Sequence, residues 1–320
     1  MSEATAIIHL YRLEVRDANA VSGPFSYGFP APTAFIGFAH ALQRRLGDIR
    51  LGGVGIVCHG AEPQIYRPRG QHVSLFRLRR FPYIAGWKKF KNEPAAIIEE
   101  GRVHFTVSLL IEVMDELLEY EREELAARIR AELMTMRLAG GTLLPKPYRV
   151  EVQSWGETEE EQRAAFRKWR YRLLPGFALV DRSELLARRL DELRREDPDA
   201  SALDAFLDLL ALHVEPEIDP ETGAVTWQAR RREPGWLVPL PVAYAALQSY
   251  PPGQVKNVRD RNTPFAFVET LYGLGEWRGP HRIDRLDHML WHHRHQEETG
   301  LYFAHNPYTN PKEKPHGQER

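Results

Sequence analysis

The spacing of apolar side chains changes period several times along the chain, and each change marks an element. Tyr11, Leu13 and Val15 alternate with Arg12, Glu14 and Arg16, which predicts a half-buried strand. The chain then runs through RDANAVSGPFSYGFPAPTAFIGFAHALQRRLG, from Arg16 to Gly47. Its first half is too long and too aromatic for a simple connector, and such loops are functional or disordered. Either it is a binding surface, or its rings pack over the neighbouring sheet. Pro30 and Pro32 bias Phe29 and Ala31 toward extended geometry. Thr33 is the expected N-cap of a helix on which Phe35, Phe38, Leu42 and Leu46 share a face, with Arg44 and Arg45 in the last turn and Gly47 as the stop.

A short apolar strand is expected at Gly53–His59. Residues 61–100 read as an insertion in which Tyr66, Phe76, Phe81, Tyr83, Trp87 and Phe90 interleave with Arg67, Arg69, Arg77, Arg79, Arg80, Lys88, Lys89 and Lys91. Rings that stack on bases and cations that neutralise phosphates suit single-stranded nucleic acid; a solvated β-hairpin has the same composition. Val103, Phe105, Val107, Leu109 and Ile111 then alternate with His104, Thr106 and Ser108, the strongest strand signal in the chain. Leu125, Ile129, Leu133 and Met136 predict a helix from about Tyr120, and a Gly140-Gly141 turn leads into another strand.

The order strand, helix, strand, insertion, strand, helix, strand is the β-α-β-β-α-β arrangement of ferredoxin-like and RNA-recognition folds. The fold class is therefore α+β: a palm over residues 1–155 with the insertion at about 61–100, and a helical and irregular β half over 156–320. The third strand reads GRVHFTVS, which lacks the aromatic, glycine-containing signature of the standard RNA-recognition motif. Any RNA would not lie on the usual two-ring sheet platform.

In the second half, Glu157–Arg172 passes from acidic to basic, as a helix dipole prefers. Asp181 with Glu184, and Ser201 with Asp204, have capping-box spacing ahead of leucine-rich helices. A turn at Asp219–Gly223 leads to an extended Trp227–Pro241, a polar stretch at Pro252–Pro264, a short helix at Asp284–His295, and a fraying tail from Asn306.

Composition narrows the classes. The 320 residues allow ample core, and the single Cys58 excludes an internal disulfide framework and suits a reducing cytoplasm. No leader or membrane-spanning apolar run is seen. The formal net charge of −1 hides segregation: residues 61–91 carry eight Lys/Arg against Glu62, and residues 112–124 carry seven carboxylates against Arg122. Such separation can hold an anion on one face and a basic partner on another.

Catalytic frames are absent: no phosphate-cradling loop, dinucleotide fingerprint or serine elbow appears. His288 and His292 would share a helical face near His293 and His295, but the third and fourth metal ligands are missing, so no metal or cofactor is expected. His9, His40 or His104 could in principle serve a ribonuclease, but core or surface roles account for them. Cys58 reads as a small core residue.

The blocks NAVSGPFSYGFPAPTAFIGFAHALQRRLG, LGGVGIVCH, IIEEGRVHFTVSLL, MRLAGGTLLP, YRLLPGFALV, PGWLVPLPVAYAAL, VKNVRDRNTPFAFVETLYGLGEW and PHRI, in order from about residue 19 to 283, resemble the second Csy subunits of type I-F CRISPR surveillance complexes. The resemblance implies a Cas-five-type, repeat-associated RNA-binding fold with a ferredoxin-like palm and an inserted thumb hairpin. It implies pairing with the large Csy subunit, joint binding of the CRISPR RNA 5′ handle, contact with the adjacent backbone Csy subunit, access to target DNA, and no nuclease activity of its own. A repeat-RNA endoribonuclease and a scaffold without RNA contact are the alternatives. Within the matched blocks and the thumb, chemistry selects the RNA-contact candidates. They are Arg16, Asn19, Ser22, Phe25 and Tyr27 in the opening loop; Arg137, Gly140 and Gly141 at the glycine turn; Lys256, Asn257, Arg259 and Arg261; and Arg67, Arg69, Arg77, Arg79 and Arg80 in the thumb.

Overall fold

A computed structural model describes residues 4–71, 73–80 and 97–308. Phe81, Tyr83, Trp87, Lys88, Lys89, Phe90 and Lys91 of the insertion, and the tail beyond Tyr308, lie outside the described residues.

The first strand, β1 (Ala6–Asn19), is longer than the alternation suggested because Ala6–Leu10 is buried on both faces and has no polar phase. Two bulges bend it, between Leu10 and Leu13 and between Val15 and Ala18, with Arg12 (φ 47°) and Asp17 (φ 52°) in left-handed geometry. The opening loop folds into a small hairpin, β2 (Val21–Gly23) with β3 (Ser26–Tyr27). Helix α1 (Pro32–Leu46) starts at Pro32 behind an extended Ala31, so Thr33 is not its cap. Proline fits the first helical position because its missing N–H would have no partner there. Phe35, Phe38, Leu42 and Leu46 are buried on one face, as their spacing requires.

Strand β4 (Leu51–Pro63) extends past both ends of the apolar run and continues toward the insertion. There β5 (Ile65–Tyr66), β6 (Leu75–Arg80) and β7 (Ile97–Glu100) form a separate three-stranded sheet. β8 (Arg102–Val113), α2 (Glu119–Leu133) and the tight pair β9 (Arg137–Leu138) and β10 (Gly141–Leu143) follow. β11 (Val150–Ser154) returns along β1.

The second half starts with α3 (Glu159–Arg170), closed by a capping box between Thr158 and Glu161. β12 (Phe177–Asp181) precedes α4 (Glu184–Glu196). Asp181 does not cap α4: it ends β12, and its carboxylate accepts the Ser183 N–H at 2.8 Å, leaving Ser183 at the cap position. The Ser201–Asp204 box does form, at the start of α5 (Ala202–Leu210). The Asp219–Gly223 turn joins β13 (His213–Ile218) to β14 (Val225–Arg230). The expected single extended run thus divides between β14 and β15 (Leu237–Tyr250), which pairs along its length with β16 (Phe265–Arg278).

The segment expected as a helix from Asp284 to His295 is instead a single 3-10 turn, Asp287–Met289, followed by strand β17 (Leu290–Gln296) paired with β18 (Leu301–His305). Its Leu290 and Trp291 dock on Gly55 and Val54 of β4, and the Trp291 indole donates to the Leu179 carbonyl at 2.8 Å. The free edge of β4 outweighs the helical spacing of the histidines.

The fold is mixed α and β around one large antiparallel sheet, ordered β12-β16-β15-β18-β17-β4-β8-β1-β10-β9, with β11 also on β1. Helices α1 and α2 cover one face of its central strands through Phe35, Leu42, Leu125 and Ile129 against Leu13, Ile56 and Leu109. The opposite face carries Ile7, Val57 and Leu110 and is closed by Trp155, Phe166, Trp169 and Met289. Both faces are therefore occupied, which removes the sheet platform that RNA-recognition motifs use. A buried ion cluster ties α4 to β16: Arg182 donates to Glu276 and, at 2.6 Å, to Glu184, and Arg278 reaches Glu276 at 2.9 Å.

Candidate nucleic-acid interface

The bulged end of β1 sets the frame. Arg16 lies opposite Thr142 of β10, and Thr142 lies opposite Arg137 of β9, so the three side chains project from one side in a row. All three are exposed. Directly opposed residues sit about 5 Å apart, which spaces the two arginines roughly 10 Å along the row. Among the described residues neither guanidinium has an ion-pair or hydrogen-bond partner.

The turn between β9 and β10 needs positive φ at both central residues, met by Ala139 (50°) and Gly140 (75°). The Asn19 N–H donates to the Ala139 carbonyl at 2.9 Å, which locks the turn against the opening loop. Gly141 is buried, and a Cβ there would come within 2.7 Å of the Arg16 carbonyl. Its close backbone approach is thus to the chain itself, whereas open space surrounds the same position at Gly140.

In the opening loop the candidates divide into two kinds. Asn19 and Ser22 hold the loop: the Asn19 amide donates to the Val21 carbonyl at 2.7 Å, and the Ser22 hydroxyl accepts the Ala31 N–H at 3.1 Å. Phe25 and Tyr27 present their rings, 62% and 43% exposed. Phe25 stands edge-on to Tyr272 at 5.4 Å, and Tyr27 leans on Phe76 of β6 at 5.1 Å.

That second contact joins the loop to the insertion. Arg77 sits 3.9 Å from Asp17, a long and exposed pair that leaves the guanidinium largely available. Arg67 donates to the Ser74 hydroxyl at 3.1 Å, Arg69 is exposed beyond β5, and the backbone of Arg79 and Arg80 completes β6 opposite Ile98 and Ile97. Opening loop, glycine turn and insertion root are contiguous. Lys256, Asn257, Arg259 and Arg261 are not: they occupy the tip of the β15–β16 hairpin, beyond the Tyr250–Phe265 pair. From Tyr272, which supports Phe25, the tip lies roughly 23 Å along the strand at 3.3 Å per residue.

Sequence reasoning missed a groove of about 400 Å³ beside Tyr27, walled by Phe29, Phe177, Trp236 and Trp277 with Cys58 and His59 in its floor. Phe177 and Trp236 are half-exposed and meet edge-on at 5.5 Å. Pro175-Gly176-Phe177 and Pro234-Gly235-Trp236 repeat one Pro-Gly-aromatic pattern, the signal that could have flagged both rings. Burial pushes the Cys58 thiol up to about 11 and the His59 imidazole below its ordinary range, so both are neutral at pH 7. His59 spends both ring nitrogens on the Pro175 carbonyl and the Ser108 hydroxyl, each at 2.7 Å. The groove can stack a flat ring and offers it neutral walls.

The histidines considered for ribonuclease chemistry occupy three separate places. His9 is buried edge-on against Trp169, His40 packs on His293, and the His104 ring accepts the Asp17 N–H at 3.1 Å. His292 faces His305 across β17 and β18 with ring centroids 5.7 Å apart, not His288 on a helix. Among the described residues no group of three or more His, Cys, Asp or Glu side chains could hold a metal ion.

A family model described as CRISPR-associated protein (Cas_Csy2) matches residues 8–304. The CRISPR-associated protein Csy2 of Pseudomonas aeruginosa (strain UCBPP-PA14) is 45% identical over 320 residues, covering 94% of this chain and 95% of that protein.

Proposed function

Because the chain belongs to the Csy2 family of CRISPR-associated proteins, we propose that it is a non-catalytic, RNA-holding subunit of a Csy surveillance complex. It grips the 5′ handle of the CRISPR RNA together with the large Csy subunit, abuts the neighbouring backbone subunit, and works in the cytoplasm, where the complex meets target DNA. The observation that carries this reading is the exposed Arg16–Arg137 row, without partners among the described residues, running beside the exposed Phe25 and Tyr27 rings and the aromatic groove.

The chemistry divides accordingly. The arginines neutralise backbone phosphates, which gives affinity and salt dependence without reading sequence. Phe25, Tyr27 and Trp236 give flat surfaces on which unstacked bases can lie. Asn19 and Ser22 act one step back, by keeping the loop in shape. The order β4-β8-β1-β10, with α1 and α2 as crossovers on one face, supports a ferredoxin-like palm over residues 1–155 that carries the insertion as a thumb. The basic tip of the β15–β16 hairpin is a second, separate phosphate contact.

The test is assembly of the complex on repeat RNA with Arg16→Ala/Arg137→Ala and with Trp236→Ala. Removing two phosphate contacts should flatten the slope of log affinity against log salt by roughly 1.4, at about 0.7 per contact on a single strand. Loss of one stacked base should cost about 1–3 kcal/mol. A handle equally protected in both variants, with unchanged salt slope, would sink the reading.

A further inference from the structure

Outside the site described above, the β13–β14 hairpin is exposed along nearly its whole length. Its register puts Val214 opposite Ala229, Pro216 opposite Trp227 and Ile218 opposite Val225, so all six residues on one face are apolar. On the other face His213, Glu215 and Glu217 oppose Arg230, Gln228 and Thr226, all polar. That is the binary pattern of a strand pair with one buried face. Yet Val214, Ile218, Val225 and Trp227 are 53–68% exposed, and none of the described residues covers them. A two-stranded hairpin is marginal in water alone, so an apolar face of this regularity calls for a cover.

From this pattern we infer that the hairpin is a docking strip for a second protein of the assembly, one presenting an apolar strip with basic side chains at its far end. Charge decides between protein and nucleic acid. Glu215, Glu217, Asp219 and Glu221 crowd the strand and its tip, and no Lys or Arg occurs from His213 to Ala229. Phosphates are repelled there and a basic rim is attracted. Area decides against a second copy. The face spans about 20 Å by 15 Å, roughly 300 Å², so two such faces together bury about 600 Å², below the ~1,000 Å² of a specific interface. The strip therefore forms one part of a larger contact with a different chain. Trp227, at 68% exposed, is its natural anchor.

The inference rests on membership of a complex, not on the RNA reading, and its test separates the two. Hydrogen exchange is measured over residues 213–230 in the free chain and in the complex assembled with the large Csy subunit, the backbone subunit and repeat RNA. Incorporation is then titrated for Trp227→Ser/Ile218→Ser, with Gln228→Ser on the polar face as control and thermal unfolding confirming the fold. Slowed exchange in the complex, at least tenfold weaker incorporation of the double variant, and an unchanged control are expected. Charge reversal by Glu217→Lys/Asp219→Lys should weaken incorporation at low salt and lose its effect at high salt. Unchanged exchange with normal incorporation overturns the inference, as does a homodimer of the free chain that Trp227→Ser dissolves, or crosslinking of Trp227 to the RNA. None of these outcomes bears on the phosphate contacts of Arg16 and Arg137.

Discussion

His9 stands edge-on to Trp169 with ring centroids 4.5 Å apart, and burial drives its pKa down to about 3 despite the opposing pull of Glu151. It is therefore neutral in the folded protein through the ordinary pH range. The unfolded chain, with an ordinary value of 6.5, takes up a proton first as the solution is acidified. Stability is thus intact above about pH 6.5 and falls toward pH 3, by about 1.4 kcal/mol per pH unit. Burial likewise lowers His40, His59, His288 and His305, adding to the same trend. Urea unfolding at pH 7 and pH 5 should show the loss, and His9→Leu should reduce it by roughly 2 kcal/mol over that interval. At this scale the sequence was a partial guide. The loop candidates were visible as polar and aromatic types, but their division into holders and presenters was not. Whether Asn19 reaches an RNA or its own Val21 carbonyl depends on a bend two residues on, and the Ser22 role depends on where Ala31 returns.

Among elements, α1 was legible because its burial follows a single period. Phe35 is fully buried between Phe29 and Phe105, with ring centroids 5.4 Å and 6.1 Å away. Phe35→Ala should cost about 3–5 kcal/mol, read as a lower denaturant midpoint at constant slope. The alternating parts of β1 and β8 were legible for the same reason, whereas β17 was not. LDHMLWHHRHQ offers helical spacing of its histidines and leucines, and only the open edge of β4, far away in sequence, decides for a strand. The expected cap at Asp181 failed similarly: capping-box spacing was present, but β12 claims the residue for its pairing with Gly275. Local pattern fixes an element where burial is one-sided, and loses it where a distant strand supplies the missing partner.

For the whole molecule, the order of strands and helices from β1 to β10 was readable from the chain, but the continuity of the sheet was not. Both β12 and β17 hydrogen-bond to the same side of β4, so the second half of the chain completes the sheet begun by the first. The groove lined by Tyr27, Phe177, Trp236 and Trp277 exists only because of that joining, which is why no single stretch announced it. A chain ending at residue 286 would keep every element from β1 to β16 yet leave Val54 and Gly55 without their partners on β17. Such a truncation should collect in the insoluble fraction on expression, measured against the full chain at equal synthesis.

The shared edge of β4 also sets a schedule for the nascent chain. Residue 63 leaves the ribosome well before residue 296, and at 5–20 residues per second the interval is roughly 10–50 s. Throughout that time the Val54–Gly55 stretch of β4 offers a bare backbone edge to any neighbour, the template on which extended chains aggregate. Translation speed, and whatever shelters the emerging strand, should therefore govern the yield of this protein more than the stability of its finished fold.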